Sequence, residues 1–325
     1  METENSNDIF SAFLAGSASN TWYKRIDYMS YLPETDEKVS DWESQFGYNV
    51  KTGVNYNLTN RHNVFFNAGY YARAPFFDFV FINYTNEVNP DYTTEKITGL
   101  ELGYGYQSRK VSFDLNGYYT LWSDRWNDTY YPAAGRTIYF KGLEELHTGI
   151  DAELSFNISE SLKLETFGSL GNWHYTNDVE VDVYDEADQT LLGTYQAYTK
   201  DLKVPDAPQT TFGASADFQL FNPLNIGLTY KFYDQLYANF DPLSRTDTED
   251  DEQSYMLPSY DVVDARATLN FDFFGVDAQA NAIVHNLFNN EYIAEGDDLG
   301  GHDKDSFVGM WGWKRNFYFS LRVNF

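Results

Sequence analysis

Two runs of acidic residues are the densest concentration of reactive side chains in this sequence. Asp247, Glu249, Asp250, Asp251 and Glu252 form one; Asp297, Asp298, His302, Asp303 and Asp305 form the other. Hard carboxylate oxygens at this density suit Ca²⁺, with Asp247, Asp250, Asp251, Asp297, Asp298 and Asp303 as candidate ligands, although neither run has EF-hand spacing. The competing reading is a solvated acidic surface, or one bridged to lipopolysaccharide through divalent ions. A second set is aromatic. Trp22, Tyr23, Tyr31, Trp42, Trp126, Tyr130, Tyr131, Trp173 and Tyr237 fall in long connecting segments beside carboxylates. Ring faces stack and charged oxygens accept hydrogen bonds, so Trp126, Tyr130, Tyr131, Trp173 and Tyr237 are candidate contacts for a sugar or peptide. The bland alternative is interface girdle and loop packing. No nucleophile or phosphate loop stands out, and the five histidines, His62, His147, His174, His285 and His302, are scattered. Gly103-Tyr104-Gly105 lacks the helix that a dinucleotide site needs. No enzyme chemistry is expected, and no cofactor other than Ca²⁺ in the loops.

Composition narrows the setting. The balance of 22 Lys and Arg against 49 Asp and Glu gives a formal net charge of -27, a field that repels a phosphate backbone and argues against a nucleic-acid partner. With no cysteine, neither a disulfide framework nor a thiolate metal site exists. No apolar run approaches the ~18 residues of a membrane helix, and the mean hydropathy is -0.52. That value fits a membrane barrel equally well, because only every second residue of a transmembrane strand meets lipid. The aromatic share of 18% exceeds what a globule needs and suits girdles at two interfaces. Residues Met1 to Asp8 are polar and acidic, with neither a basic nor an apolar signal region, so the expectation is a fragment of a longer exported chain.

The elements that must carry these side chains are strands. Trp311, Trp313, Phe317, Phe319, Leu321, Val323 and Phe325 are apolar at period two; so are Val263, Ala265, Ala267, Leu269, Phe271 and Phe273, and Val276, Ala278, Ala280, Ala282 and Val284. Similar stretches upstream bring the count to about twelve strands. Five connections are short, at 57–63, 107–110, 157–161, 221–223 and 274–275. Six are long, at roughly 20–43, 72–96, 123–146, 172–209, 233–259 and 287–310, and the two kinds alternate. This predicts an all-β fold, a transmembrane antiparallel up-and-down β-barrel with brief turns on one side and extended loops on the other. A soluble all-β sandwich would show no such regularity.

Asn286-Leu287-Phe288-Asn289-Asn290-Glu291-Tyr292 resembles a motif of the TonB-dependent receptors, and Phe325 resembles the terminal aromatic read by the barrel-assembly machinery. Arg73-Ala74-Pro75 and Gly149-Ile150-Asp151 are similar to two further strand signatures of that family, in the expected order. The resemblance implies a Gram-negative outer-membrane receptor that takes up a scarce solute with energy delivered through TonB. It also implies a plug domain and roughly ten more N-terminal strands, of a barrel of about 22, that are absent from residues 1–325; the partners it implies are therefore membrane lipid, that plug and TonB. The rivals are a passive porin-like or adhesin-like barrel of about twelve strands, and a barrel enzyme such as a lipase or protease.

Overall fold

The computed structural model describes residues 2–7, 9–29, 38–81, 85–131 and 134–324; Met1, Tyr31 and Phe325 lie outside these, as do the side chains of residues 2–6, Tyr130 and Phe273. In chain order the strands are β1 (Glu2–Ser6), β2 (Phe10–Tyr23), β3 (Glu43–Thr59), β4 (His62–Arg73), β5 (Glu95–Gln107), β6 (Val111–Tyr131), β7 (Arg136–Ser159), β8 (Leu162–Tyr175) and β9 (Val179–Asp185). They continue as β10 (Leu191–Ala197), β11 (Thr210–Phe221), β12 (Leu224–Asp234), β13 (Asn239–Phe240), β14 (Tyr260–Phe273), β15 (Val276–His285), β16 (Ile293–Asp298), β17 (Phe307–Trp311) and β18 (Asn316–Asn324). One short helix, α1 (Phe77–Val80), follows β4.

All of these except β9, β10, β13, β16 and β17 form a single antiparallel wall in which each strand pairs with its chain neighbours, β8 meeting β11, β12 meeting β14 and β15 meeting β18. Among the described residues β1 pairs only with β2 and β18 only with β15, so the wall is an open arc. The register sets the apolar positions side by side. One outward row runs Val54, Phe66, Leu102, Gly117, Ile150, Leu170, and another Ala216, Leu228, Ala265, Val284, Phe317. The large side chains of these rows, Val54, Phe66, Leu102, Ile150, Leu170 and Leu228, stay exposed, and Phe317 does so to 74%, so the apolar face is turned away from the protein and not into a sandwich core. A one-residue slip in any strand would turn its polar face outward, and the wall is therefore strongly specified.

Six brief turns close one edge. The turn before β2 is an Asx turn, Asn7 Oδ1 accepting from the Ile9 and Phe10 amides at 2.9 and 2.8 Å. Between β14 and β15, Phe274 and Gly275 both have positive φ, 52° and 80°, the requirement of a two-residue hairpin turn whose twist matches its strands. Two expectations need correction. Residues 123–146 are not an open loop: β6 and β7 carry on past the wall, pairing Asn127 to Tyr131 with Phe140 to Arg136. The last strand also does not begin at Trp311. Trp311 pairs with Ile293 in β17, and the wall strand starts at Asn316, after the chain breaks at Gly312, packed under the Tyr292 ring.

Apart from small residues of the wall such as Ala15, Ala72 and Ala278, the buried apolar side chains gather at the other edge, in and beside the long connections. Ile138, Phe140, Leu143, Tyr175, Val179, Val181, Val183, Ala197, Leu202 and Phe240 form the main cluster; β9 pairs with the extension of β7 and with β10 to shape it. These segments bury apolar surface against one another, in the manner of an ordinary core.

Inward-facing glycines serve the wall differently. Gly53, Gly103 and Gly213 each lie beneath a ring from the adjacent strand, Phe13, Phe65 and Phe167, and a Cβ at any of them would overlap that ring. The rings thus lie flat on the wall. Gly213→Ala should push Phe167 into the lumen and cost about 1–3 kcal/mol, read as a lowered urea midpoint of the vesicle-inserted barrel. Gly168→Ala, whose Cβ would meet only ordinary contacts, should leave the midpoint in place.

Candidate functional site at the outer mouth

The loop layer above the wall is clamped by one side chain. Arg245, in the 3-10 turn Pro242–Arg245, has a fully buried guanidinium. Its Nη1 donates to both carboxylate oxygens of Asp250, at 3.2 and 3.1 Å, and to the Glu252 carbonyl at 2.7 Å; Nη2 donates to Ser254 Oγ at 3.3 Å and lies 3.6 Å from Asp298 Oδ2. His302 bridges the same two acids, Nδ1 2.7 Å from Asp298 and Nε2 3.2 Å from Asp250. The Arg245 carbonyl accepts from the Tyr198 amide at 2.7 Å. One residue thereby joins three outer connections, and the parallel pairing of β13 with β16 runs alongside. Burial alone would raise the Asp298 carboxyl, yet hydrogen bonds from His302 and from the Tyr255, Gly300 and His302 amides hold it below the usual carboxylate range.

The acidic runs therefore meet around a cation supplied by the protein. Asp250 and Asp298 face Arg245. Asp247 accepts the Glu249 amide at 2.9 Å, and Asp303 accepts the Asp305 and Ser306 amides at 2.9 and 3.0 Å, which lowers its carboxyl. Asp251 is exposed. Asp297 lines a cavity of about 320 Å³ with Asp206 and Glu295, where burial, then the charges of Glu295 and Asp297, raise the Asp206 carboxyl. Among the described residues no group of three or more His, Asp or Glu side chains is arranged to hold a metal ion.

The aromatic candidates are dispersed. Trp126 is 4% exposed, packed with Phe79 and Tyr139. Tyr131 packs against the main loop cluster, and burial, then Asp241, raises its hydroxyl. Tyr237 is half-buried, its hydroxyl also raised by burial and then by Asp234. Trp173 alone among them lies on the inner face of the wall, stacked on His147 with centroids 5.3 Å apart and donating to Tyr118 Oη at 2.9 Å.

Trp173 ends a belt at the inner rim. Arg73 pairs with the buried Glu95 and sits 4.7 Å from the Phe76 centroid and 5.4 Å from that of Trp122. Trp122 donates to Glu95 at 3.3 Å and carries Arg125 on its ring at 4.6 Å. Arg125 pairs with the buried Glu145, whose other oxygen lies 3.3 Å from His147. Alternating cations, rings and carboxylates make a polar, aromatic lining across β4 to β8. Period two marks its wall members, since Arg73, Trp122, Glu145, His147 and Trp173 all fall on the polar side of their strands, but only register brings them level.

The motif corner is held by its own hydrogen bonds. Asn286 has φ of 51°, donates to the Asn290 and Trp313 carbonyls at 2.8 and 3.2 Å, and accepts the Asn290 amide at 2.9 Å. The Leu287 amide donates to the Val263 carbonyl at 2.7 Å, Phe288 is exposed, and Tyr292 stacks on Tyr260 with centroids 4.2 Å apart. The signature thus turns the chain from β15 into the last outer connection.

A family model described as TonB dependent receptor-like, beta-barrel, matches residues 23–287. The chain belongs to that family. Solved structures agree in fold: the ferric-catecholate import receptor Fiu from K12 E. coli (15% identity, TM-score 0.61, covering 97% of this chain and 42% of that one) and the copper transporter OprC (13%, 0.66, 97% and 45%). The ferric yersiniabactin uptake receptor FyuA from Yersinia pestis gives 15%, 0.60, 98% and 44%. The chain thus spans less than half the length of these receptors. No curated protein matches it.

Arg245→Met should leave Asp298 as a buried charge short of its cation and destabilise the loop layer by about 3–5 kcal/mol. Amide exchange would quicken at 236–257 and 293–307 while the wall's urea midpoint holds; Arg245→Lys should not rescue, because an ammonium cannot reach Asp250, Glu252 and Ser254 together. The raised Asp206 carboxyl binds its proton more tightly folded than unfolded, so its contribution is complete at acid pH and lost as pH rises through the folded value. Asp206→Asn should accordingly slow exchange at 204–206 and 295–297 at pH 7, and change nothing below the ordinary value of 3.8.

Proposed function

We propose that residues 1–325 form the C-terminal barrel wall and outer-loop layer of a Gram-negative outer-membrane receptor that takes up a scarce solute, driven through TonB. The observation that carries this is the pairing of an apolar outward face with a separately folded, water-facing loop layer at the long-connection edge. A passive pore has no need of a clamped cap across its mouth. In this reading the outer loops and a plug capture the solute, and TonB then pulls the plug to open a path through the lumen. Transport, with no catalytic step, is the whole task.

Charge indicates the solute class. The six outer connections, residues 24–42, 74–94, 123–146, 176–209, 235–259 and 286–315, hold 32 of the 49 acidic residues and 12 of the 22 basic ones. Such a field slows the approach of anions and concentrates cations, which supports a neutral or cationic solute. Trp173, His147 and Arg125 are assigned to solute contact on the inner face, and Trp126 and Tyr131 to supporting the loops. Any Ca²⁺ would act on the outer acids, Asp251, Asp297 and Asp303 among them, as a bridge to neighbouring lipid.

Two measurements on the full-length receptor separate this from a porin. Uptake by expressing cells should stop when the inner-membrane proton gradient is collapsed, and the purified receptor should show little conductance in planar bilayers. Steady open-channel current, with uptake indifferent to the gradient, would assign the chain to the passive class.

A further inference from the structure

The outer loop layer ends in an open sheet edge. The β7 extension, β9 and β10 lie side by side, and among the described residues β10 pairs with β9 alone. Bond directions show what its free side offers. The Asp185 amide donates to the Thr190 carbonyl at 2.9 Å, and the Glu186 amide turns the other way, to the Gly135 carbonyl at 2.9 Å. Backbone groups alternate in direction along a strand, so Val183 and Val181 bond toward Gly193 and Tyr195, while Thr194 and Gln196 turn both N–H and C=O away from β9. The Tyr198 amide points the same way and donates to the Arg245 carbonyl at 2.7 Å. That turn fills the next rung and leaves the groups of Thr194 and Gln196 open, the template for an added strand.

The side chains decide what would fit there. On the core-facing side the row Phe140, Val181, Tyr195 passes from 5% and 0% exposed to 47%. The apolar face therefore runs to the edge and stops uncovered, with Leu191 and Leu192 exposed beside it. On the other side Asp182 lies across from Thr194 and Glu180 across from Gln196. Lys141 answers Asp182 at 2.6 Å; Glu180 is exposed and has no such cation among the described residues. From Asp178 to Thr199 there are six acids, three of them in the hairpin turn at Asp185, Glu186 and Asp188, and no Lys or Arg. A strand laid along β10 needs apolar residues on one face and cations on the other. A second copy of this hairpin fails that requirement, because it would set acids against acids.

We propose that the β10 edge is a docking strand for a basic, extended segment of another protein, which adds to the sheet through the backbone of Thr194 and Gln196. Its position at the cell surface rests on the reading proposed above; the edge itself does not. The test uses the purified full-length receptor and a labelled peptide of alternating lysine and valine. Binding should slow exchange at the Thr194 and Gln196 amides. The same peptide built with D-valine, equal in charge but with side chains that cannot alternate between the faces of a strand, should bind at least about tenfold more weakly. Thr194→Pro removes an N–H that faces away from β9, a place where an edge strand tolerates proline, and should weaken binding about tenfold. Thr194→Val loses only the hydroxyl's 2.5 Å bond to Asp182 and should bind like the parent, while Glu180→Gln should flatten the salt dependence. Equal binding of the two peptides, or of Thr194→Pro and the parent, would overturn strand addition in favour of charge alone. Thr194 and Gln196 amides already slow in the receptor without peptide would overturn it too, the edge then being filled by the receptor's own chain. Peptide binding by a receptor whose uptake ignores the proton gradient would keep this edge and overturn the transport reading.

Discussion

In hydrocarbon an unpaired backbone amide or carbonyl costs several kcal/mol, because no water is present to take the lost hydrogen bond. Pairing each strand with its chain neighbour answers that constraint for the interior of the wall, and most of the architecture follows. Side chains alternate, so one face of every strand must be greasy and the other is left for the lumen. The greasy face contributes nothing to an internal core. Leu102, Ile150 and Phe317 stay exposed, and what would be a serious defect in a water-soluble sheet is here the surface that the surroundings complete.

Burial in water is then left to the outer connections, and they solve it with different means. Val179, Val181 and Val183 of β9 alternate with acids and pack onto the β7 extension. Because the layer carries most of the acidic residues, bringing Asp250 and Asp298 together needs a cation, and Arg245 supplies it. A guanidinium presents several donors in one plane, enough to serve Asp250, the Glu252 carbonyl and Ser254 at once. The acids that look like ligands for an external ion are, at Asp250 and Asp298, ligands for this internal one.

The wall was legible in the sequence because its rule is binary and repeated over many strands. Where residues 123–146 ran past the membrane edge, the period-two signal faded: the β6 and β7 extension has to bury Ile138, Phe140 and Leu143 on one side and pair Lys141 with Asp182 on the other. Trp126 illustrates the limit at the site. An exposed-looking tryptophan between Arg125 and Asn127 gives no hint that Phe79, from another connection, and Tyr139, from the facing β7 extension, enclose it. Conversely, the belt from Arg73 to Trp173 went unread because its members lie far apart in the chain and become neighbours only through register. Arg73-Ala74-Pro75 and Asn286 stood out as family marks, and the structure supplies their reasons: an ion pair with Glu95, and a left-handed corner with three side-chain hydrogen bonds to the backbone.

Those reasons also explain where variation is tolerated. The family marks sit at corners where a wall strand hands over to a connection, and a change there disturbs pairing that hydrocarbon does not forgive. The loop layer has its own apolar cluster and its own ion network, joined to the wall mainly through strand continuity. Substitutions within it change the surface at the mouth without altering how the wall strands pair. A wall whose fold is recognisable at 13–15% identity, beneath connections free to vary, is the outcome such a division produces.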